Sequence, residues 1–243
     1  MYRTNTKNQE TTHSLILKRE IIVTADGSKT IYLPDWNEHY HSKHGAVQEA
    51  QHVFIKHGFQ HRIESHLEPD SESKNKSISI LEIGFGTGLN AFLTVLEANK
   101  SHVEIHYTGV EAFPVLDEEL ELLNYTATEE EKEIFKQLHK ISWEKQTKLF
   151  ENFWLQKQKK EFSKIDDTAL YDLIYFDAFG VRVQPELWTE AIFKKMYQAL
   201  KSKGVLVTYA AAGSVRRAMQ ASGFQVEKLP GPPGKREMLR ASK

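Results

Sequence analysis

The sequence predicts an α/β domain built on an open, mostly parallel sheet, and three stretches predict it. The first is Ile78 to Ile83, an apolar run broken only by Ser79 and Glu82. It opens into Gly84-Phe85-Gly86-Thr87-Gly88-Leu89-Asn90 and then into the helix-like Ala91 to Leu96. The second is Ile105 to Glu111, a short strand ending in an acid; the third is Tyr171 to Phe176, which ends in Asp177 with an aromatic, Phe179, two residues on. Strands that alternate with helical stretches build a parallel sheet, and such sheets bind ligands beyond the carboxyl ends of their strands. The glycine loop, Glu111 and Asp177 are therefore expected on one edge.

The spacing of the glycines narrows the ligand. A dinucleotide fingerprint, G-x-G-x-x-G, would need a small residue where Leu89 stands, and the Lys-Ser/Thr of a P-loop is missing. G-x-G-x-G instead suits S-adenosylmethionine (SAM), which carries no pyrophosphate. An acid at the tip of the second strand, about 20 residues past the glycines, commonly accepts hydrogen bonds from ribose hydroxyls. Glu111 stands there, its competing role being a solvated loop acid. Asp177 either works in the crevice or caps the turn that follows its strand.

The other elements follow in order. Leu15 to Thr24 and Thr30 to Leu33 flank Ala25-Asp26-Gly27-Ser28, an Asp-Gly hairpin signal. A basic-aromatic loop, Trp36 to His44, leads to a helix from Gly45 to about His57, and Ser65 to Ser77 is a polar loop containing Pro69. Past Pro114, helical stretches run from Val115 to Tyr125 and from Thr128 to His139, the latter with Glu129, Glu130 and Glu131 in its first turn, where the helix dipole favours acids. Val181 to Pro185 is a loop before a helix from Glu186 to Ser202. Gly204 to Tyr209 is a strand, Ser214 to Ser222 a helix and Phe224 to Leu229 a strand, and Gly231-Pro232-Pro233-Gly234 makes a rigid turn. Two units are expected: residues 1–77, a hairpin and helix extension packed on the core, and 78–243, the core.

Composition excludes several classes. With 243 residues the chain suits one α/β domain with decoration. No cysteine is present, which removes disulfides, thiolate-bound zinc and cysteine nucleophiles. Met1 to Glu10 is polar, and no run reaches the roughly 20 apolar residues a bilayer span needs, so a cytoplasmic protein without membrane contact is expected. The net charge is −1, so a polyanionic partner would have to meet a local basic patch. Of 11 histidines, His52, His57, His61 and His66 step by five, four and five, which does not keep ligands on one α-helical face; no metal site is expected.

Four blocks carry a resemblance to a known family. They are Tyr40-His41-Ser42 through Gly45-Ala46 to His52-Val53-Phe54; Glu82 to Asn90; Phe176-Asp177-Ala178-Phe179 with Pro185-Glu186-Leu187-Trp188; and Ala212-Gly213-Ser214-Val215-Arg216-Arg217 with Gly234-Lys235-Arg236-Glu237-Met238. From about Tyr40 to Arg240 the chain resembles the SAM-dependent methyltransferase domain of the enzymes that complete 5-methylaminomethyl-2-thiouridine at the tRNA wobble position (34), in its stand-alone form, without the flavin-dependent oxidase domain of fused relatives. The resemblance implies a Rossmann-like fold with a seven-stranded sheet and an antiparallel C-terminal hairpin, SAM as cofactor with neither flavin nor metal, and methylation of the primary amine of 5-aminomethyl-(2-thio)uridine. It implies cofactor contacts from Glu82, Gly84, Phe85, Gly86, Thr87, Gly88, Asn90, Glu111, Ala112 and Asp177, with Asp177 also facing the amine. Fused relatives carry a Gly-Asp pair for the adenine ring, and the matching region here, about Phe153 to Ile165, has none.

The chemistry can be argued from the residues themselves. Methyl transfer from a sulfonium is mostly positioning. An alkylammonium with a lysine-like pKa of about 10 must first lose a proton, a general-base task for Asp177. Phe179 either faces a cation or packs. Arg182, Arg216, Arg217, Lys235 and Arg236 are candidate contacts for the phosphates of a tRNA anticodon stem-loop, and Tyr40 is a surface for a splayed base. Two alternatives stand: a methyltransferase acting on another amine or RNA position, and a non-catalytic RNA-binding module of the same fold.

Overall fold

Apolar runs flanked by turn residues become the buried strands of one sheet. The computed structural model describes residues 18–66, 77–101 and 103–243. Its main sheet contains β4 (Ser77–Ile83), β5 (Glu104–Glu111), β6 (Thr147–Phe150), β7 (Phe153–Lys159), β8 (Tyr171–Phe176), β9 (Leu200–Thr208), β10 (Gln225–Pro230) and β11 (Glu237–Ser242). The spatial order is β10-β11-β9-β8-β4-β5-β7-β6. The five strands from β9 to β7 run parallel, and β10 and β11 form the expected antiparallel hairpin. Seven strands were expected; β6 is an eighth, antiparallel on the far edge.

β6 and β7 carry the subtlest signal. β7 reads Phe-Trp-Leu-Gln-Lys-Gln-Lys, and its buried positions are Phe153, Leu155 and Lys157. That is period-two alternation with a lysine on the inner face. Lys157 is 2 % exposed and donates to the His139 carbonyl at 2.8 Å. That carbonyl lies in the last turn of α5 (Glu129–Lys140), where a helix favours cations. Burial pushes the Lys157 ammonium down to about 8.

The chain crosses from one side of β4 to the other after β7, so the β4/β8 pair is the switch point where open α/β sheets bind ligands. α3 (Leu89–Ala98) follows β4 and is buried almost throughout. Beside it on the same sheet face lies a continuous helix, α1 (Ala46–Ala50), a π-helical stretch (Gln51–Gln60) and α2 (His61–His66). Val53, Phe54, Ile55 and Phe59 share its apolar cluster with Leu173, Tyr175 and Val207. A Cβ on Gly58 would lie 3.0 Å from both Tyr175 and Val207, so a glycine there lets the helix sit close. The wider π turn brings a step of five onto one face: the His52 and His57 rings lie 4.8 Å apart. Sequence spacing alone, read on an α-helix, separated them.

The N-terminal hairpin is present as β1 (Glu20–Val23) and β2 (Lys29–Leu33), extended by β3 (Glu38–His39) into a second, three-stranded sheet. Residues 15–17 of the expected first strand, and 67–76 of the polar loop, lie outside the described residues, as does Met1 to Glu10. The helix expected over Val115 to Tyr125 is only α4 (Asp117–Leu120). Asn124 explains the early end: its amide accepts from Lys29 N–H and donates to the Gly27 carbonyl, drawing the chain onto the hairpin. The helix expected from Glu186 to Ser202 is split. A 3₁₀ turn (Pro185–Trp188) precedes α6 (Glu190–Ala199), and Leu200 has already joined β9, paired with Tyr171. Sheet pairing overrides helix propensity there. α7 (Gly213–Ala221) lies where expected.

The opposite end of the switch point is stapled by one acid. Asp172, 4 % exposed, accepts from Ser79 N–H at 2.9 Å, Lys201 at 2.7 Å and Arg62 at 3.3 Å. It joins β8, β4, β9 and α2. Removing it leaves the nearly buried Arg62 and the Ser79 N–H without their partner, while Lys201 can turn to solvent, so Asp172→Ala should cost about 3 kcal/mol of unfolding free energy in urea titration, within the range for breaking a buried pair. A loss under about 0.5 kcal/mol would place the staple among ordinary surface pairs.

Candidate active site

Each glycine of the loop after β4 adopts a left-handed backbone: φ is +89° at Gly84, +49° at Gly86 and +72° at Gly88. Other residues reach this region only with strain. Gly84 also meets the next strand, since a Cβ there would lie 2.4 Å from the Asp177 carbonyl oxygen. Asp177 N–H in turn donates to the Ile83 carbonyl at 2.8 Å. The glycine loop and the tip of β8 are thus in backbone contact.

A buried chain of side chains joins them a second time. Asn90, 2 % exposed at the start of α3, donates through Nδ2 to Glu82 at 2.9 Å and to Asp177 at 2.8 Å. Glu82 is fully buried, accepts a second hydrogen bond from Tyr107 OH at 2.8 Å, and is raised well above the usual carboxylate range by that burial. Asp177 is raised to about 7, chiefly by burial and then by the Glu49 carboxylate, against the opposing pull of Asn90 and Lys235. The Asn90 Oδ1 atom is buried and has no donor. An acceptor left open beside two acids matches a cationic ligand group such as an ammonium.

Glu111, at the tip of β5, accepts from Gly86 N–H at 3.0 Å and Phe113 N–H at 2.9 Å. Its carboxylate shapes the glycine loop as well as bordering the crevice, and Ala112 follows it in the turn. Phe85 differs from expectation: its ring turns inward, 3 % exposed, toward His139 and Trp143. A Cβ on Gly109 would lie 2.2 Å from it, so a glycine in mid-strand makes room. Glu82 reaches the crevice through Asn90, and Thr87 is 1 % exposed and held by Tyr125 OH.

The roof is aromatic. Phe179 makes edge contacts with Trp36 and Tyr40, at centroid distances of 5.7 and 5.0 Å, and the Tyr40 ring passes 3.3 Å from where a Gly86 Cβ would be. Burial raises the Tyr40 phenol. The Asp177–Phe179 turn is pinned by Tyr209 OH on the Ala178 carbonyl and Trp188 Nε1 on the Phe179 carbonyl, both at 2.8 Å. The Pro185 to Trp188 block thereby serves the site from outside it.

The predicted cations separate. Arg182 donates to the Trp36 and Asn37 carbonyls and to Glu38, tying down the hairpin loop. Lys235 pairs with Glu49 and lies over the Tyr209 ring. Arg236 has a side chain 91 % exposed, Arg217 is exposed, and Arg216 is half-buried with an unpartnered Nε. A cleft of about 440 Å³ runs past Gly180, Tyr209, Ala212, Lys235 and Arg236. Neither this cleft nor another hollow, bounded by Asp26, Gln48 and Asn124, is lined by the strand-tip acids themselves. Glu49 and Tyr209 are the functional candidates that sequence reasoning missed; Glu49 sits in an ordinary helical stretch, and nothing in its spacing marks it.

Residues 118–243, just over half of the chain, match the model of a family described as S-adenosyl-L-methionine-dependent methyltransferases. The chain belongs to this family. Its glycine cradle, strand-tip Glu111 and open Asn90 acceptor fit SAM. Among similar proteins is the tRNA 5-methylaminomethyl-2-thiouridine biosynthesis bifunctional protein MnmC of Burkholderia mallei (strain SAVP1), 28 % identical over 241 residues, covering 92 % of this chain and 35 % of that protein. The Cupriavidus metallidurans protein of that name is 29 % identical over 238 residues, covering 91 % and 33 %. The chain thus spans about a third of the length of the curated relatives it matches. MnmC2 of Aquifex aeolicus superposes with a TM-score of 0.74 at 25 % identity, over 94 % of this chain and 72 % of that one. A probable spermidine synthase of Corynebacterium glutamicum (TM-score 0.52, 16 % identity, 92 % and 76 % covered) shares the fold. No helix among the described residues is long and apolar enough to cross a membrane, and no group of three or more metal-capable side chains occurs among them.

The site stores instability with a definite pH signature. The Asp177 pKa is raised on folding, so the unfolded chain releases its proton first as pH rises. Stability then falls between about 4 and about 7 and levels off above. Asp177→Asn should therefore raise the melting temperature at pH values above 7. Scanning calorimetry of both proteins checks this; equal midpoints across the range would contradict the desolvated, charge-crowded setting of half-buried Asp177.

Proposed function

We propose that the chain transfers a methyl group from SAM to the primary amine of 5-aminomethyl-(2-thio)uridine at the wobble position of tRNA. The observation that carries this reading is Asp177, a carboxylate at the β4/β8 switch point, raised to about 7, held by Asn90 and within electrostatic reach of Lys235 on the wall of the cleft. A carboxylate that takes up protons near neutrality is suited to an amine that must be deprotonated before it becomes a nucleophile. The names of the similar proteins support the same substrate.

Gly84, Gly86 and Gly88 would hold the methionine and ribose part of SAM through close backbone approach, Glu111 the ribose hydroxyls, and Asn90 Oδ1 the amino group. When bound, SAM supplies an electrophilic methyl group. Asp177 orients the substrate ammonium and accepts its proton, passing it to water. Tyr40 and Phe179 close the crevice and exclude solvent, Phe179 as a packing residue braced by Trp36. Within the extension of residues 1–77, Trp36 and Tyr40 supply this roof, while 78–243 form the transferase core. Arg216, Arg217 and Arg236 meet anticodon stem-loop phosphates along the cleft. Neither flavin nor metal enters this scheme, and a tRNA substrate makes it a cytoplasmic one.

Label from SAM should appear in 5-methylaminomethyl-(2-thio)uridine when tRNA from cells lacking this step is the acceptor, read by nucleoside analysis. SAM binding without label in that nucleoside would send the substrate search to other amines. Asp177→Ala should lower kcat by about a hundredfold or more, the usual range for a lost general base, with SAM affinity nearly unchanged. Equal losses in both would make Asp177 a cofactor ligand instead. Affinity for tRNA should fall steeply with salt if the arginines meet phosphates, and a flat dependence would remove that assignment.

A further inference from the structure

A cation already occupies the wall of the cleft next to Asp177. The Lys235 ammonium lies 3.8 Å from the centroid of the Tyr209 ring and pairs with the Glu49 carboxylate. Both partners are fixed by contacts that do not involve it. Glu49, with its side chain 9 % exposed, accepts from Ser42 N–H at 2.8 Å through its other oxygen. Tyr209 is anchored by its hydroxyl on the Ala178 carbonyl. A desolvated carboxylate set beside an aromatic face recognises an alkylammonium. The end of a lysine is one: a primary amine on a methylene, the same group that the aminomethyl substituent carries.

The groups facing this spot come from several elements. Glu49 belongs to α1, Lys235 to the turn between β10 and β11, Tyr209 to the segment after β9 and Asp177 to the tip of β8. Glu38 also acts on Tyr209. Arg182 is the partner of Glu38, so once Lys235 leaves, Glu49 is the carboxylate without a cation and Asp177 lies within its electrostatic reach, which keeps the spot attractive to a positive group. The Lys235 side chain is about one-third exposed and borders the cleft, beside Arg236. It has open space to move into.

We propose that Glu49 and Tyr209 form the ammonium subsite for the substrate amine, that Lys235 fills it in the free protein as an internal mimic, and that the incoming aminomethyl group displaces Lys235 to lie against Asp177. This rests on the amine reading above and adds residues that bind, rather than deprotonate, the amine. The test measures inhibition by free 5-aminomethyluridine, which has no phosphate, of methyl transfer to an aminomethyluridine anticodon stem-loop. Glu49→Gln should raise the inhibition constant about tenfold or more, as losing a charge-assisted contact does, with SAM affinity unmoved. Lys235→Met should lower it by about threefold or more, because an internal competitor is gone. An unchanged constant in Glu49→Gln, or a raised one in Lys235→Met, would overturn the subsite. Should Glu49→Gln fail to fold by thermal melt, the direction of the Lys235→Met shift decides alone. Wild-type protein that binds SAM but transfers nothing to the stem-loop would overturn the amine reading and this inference together; transfer with unmoved constants would overturn the subsite alone.

Discussion

The two hydrogen bonds of Asn90 hold this site together. Its one amide group spans from Glu82, at the end of β4, to Asp177, at the end of β8. The helix that follows the glycine loop, the strand before it and the acid across the switch point are thereby fixed relative to one another. Burial makes the arrangement sensitive, because a polar network in low dielectric stabilises only when its members are satisfied. Every donor of that amide is used while Oδ1 stays open. In the proposed complex that open acceptor receives the amino group of SAM.

From that chain the rest follows outward. Gly84 lacks a side chain because the Asp177 carbonyl stands where its Cβ would be, and the contact draws the β8 tip up to the loop. Tyr209 and Trp188 then clamp the two carbonyls after Asp177. The hairpin sheet is held over this turn by Arg182, which binds two carbonyls and one acid of the Trp36–Glu38 loop. Arg182, read from sequence as a candidate phosphate contact, anchors the roof. Lys235 is likewise committed to Glu49. Of the five cations singled out from the sequence, Arg217 and Arg236 face solvent, with half-buried Arg216 beside them.

Much of this was legible in the residues, for identifiable reasons. Strands buried on both faces announce themselves as apolar runs, and glycines at alternate positions between a strand and a helix have few other uses. The strand-tip acids follow from the geometry of parallel sheets. Elements decided by distant partners were less legible: α4 stops early because Asn124 is recruited by the hairpin, and Leu200 leaves its helix to pair with Tyr171. β7 hid because its inner face carries Lys157, whose charge is matched by the end of α5. Phe85 could have been read as inward-facing from Gly109, a mid-strand glycine with a packing purpose. Glu49 had no such marker, since its role exists only once α1, the β10–β11 turn and β8 are brought together.

The central claim is that burial and the neighbouring Glu49 hold Asp177 as a proton acceptor near neutrality while Asn90 restrains it. Carbon-detected NMR titration of the Asp177 carboxyl tests this without any substrate. The account predicts a midpoint at about 7, moving higher in Asn90→Ala as the donor is lost. A midpoint near the ordinary value of 3.8, unmoved by that substitution, would contradict it.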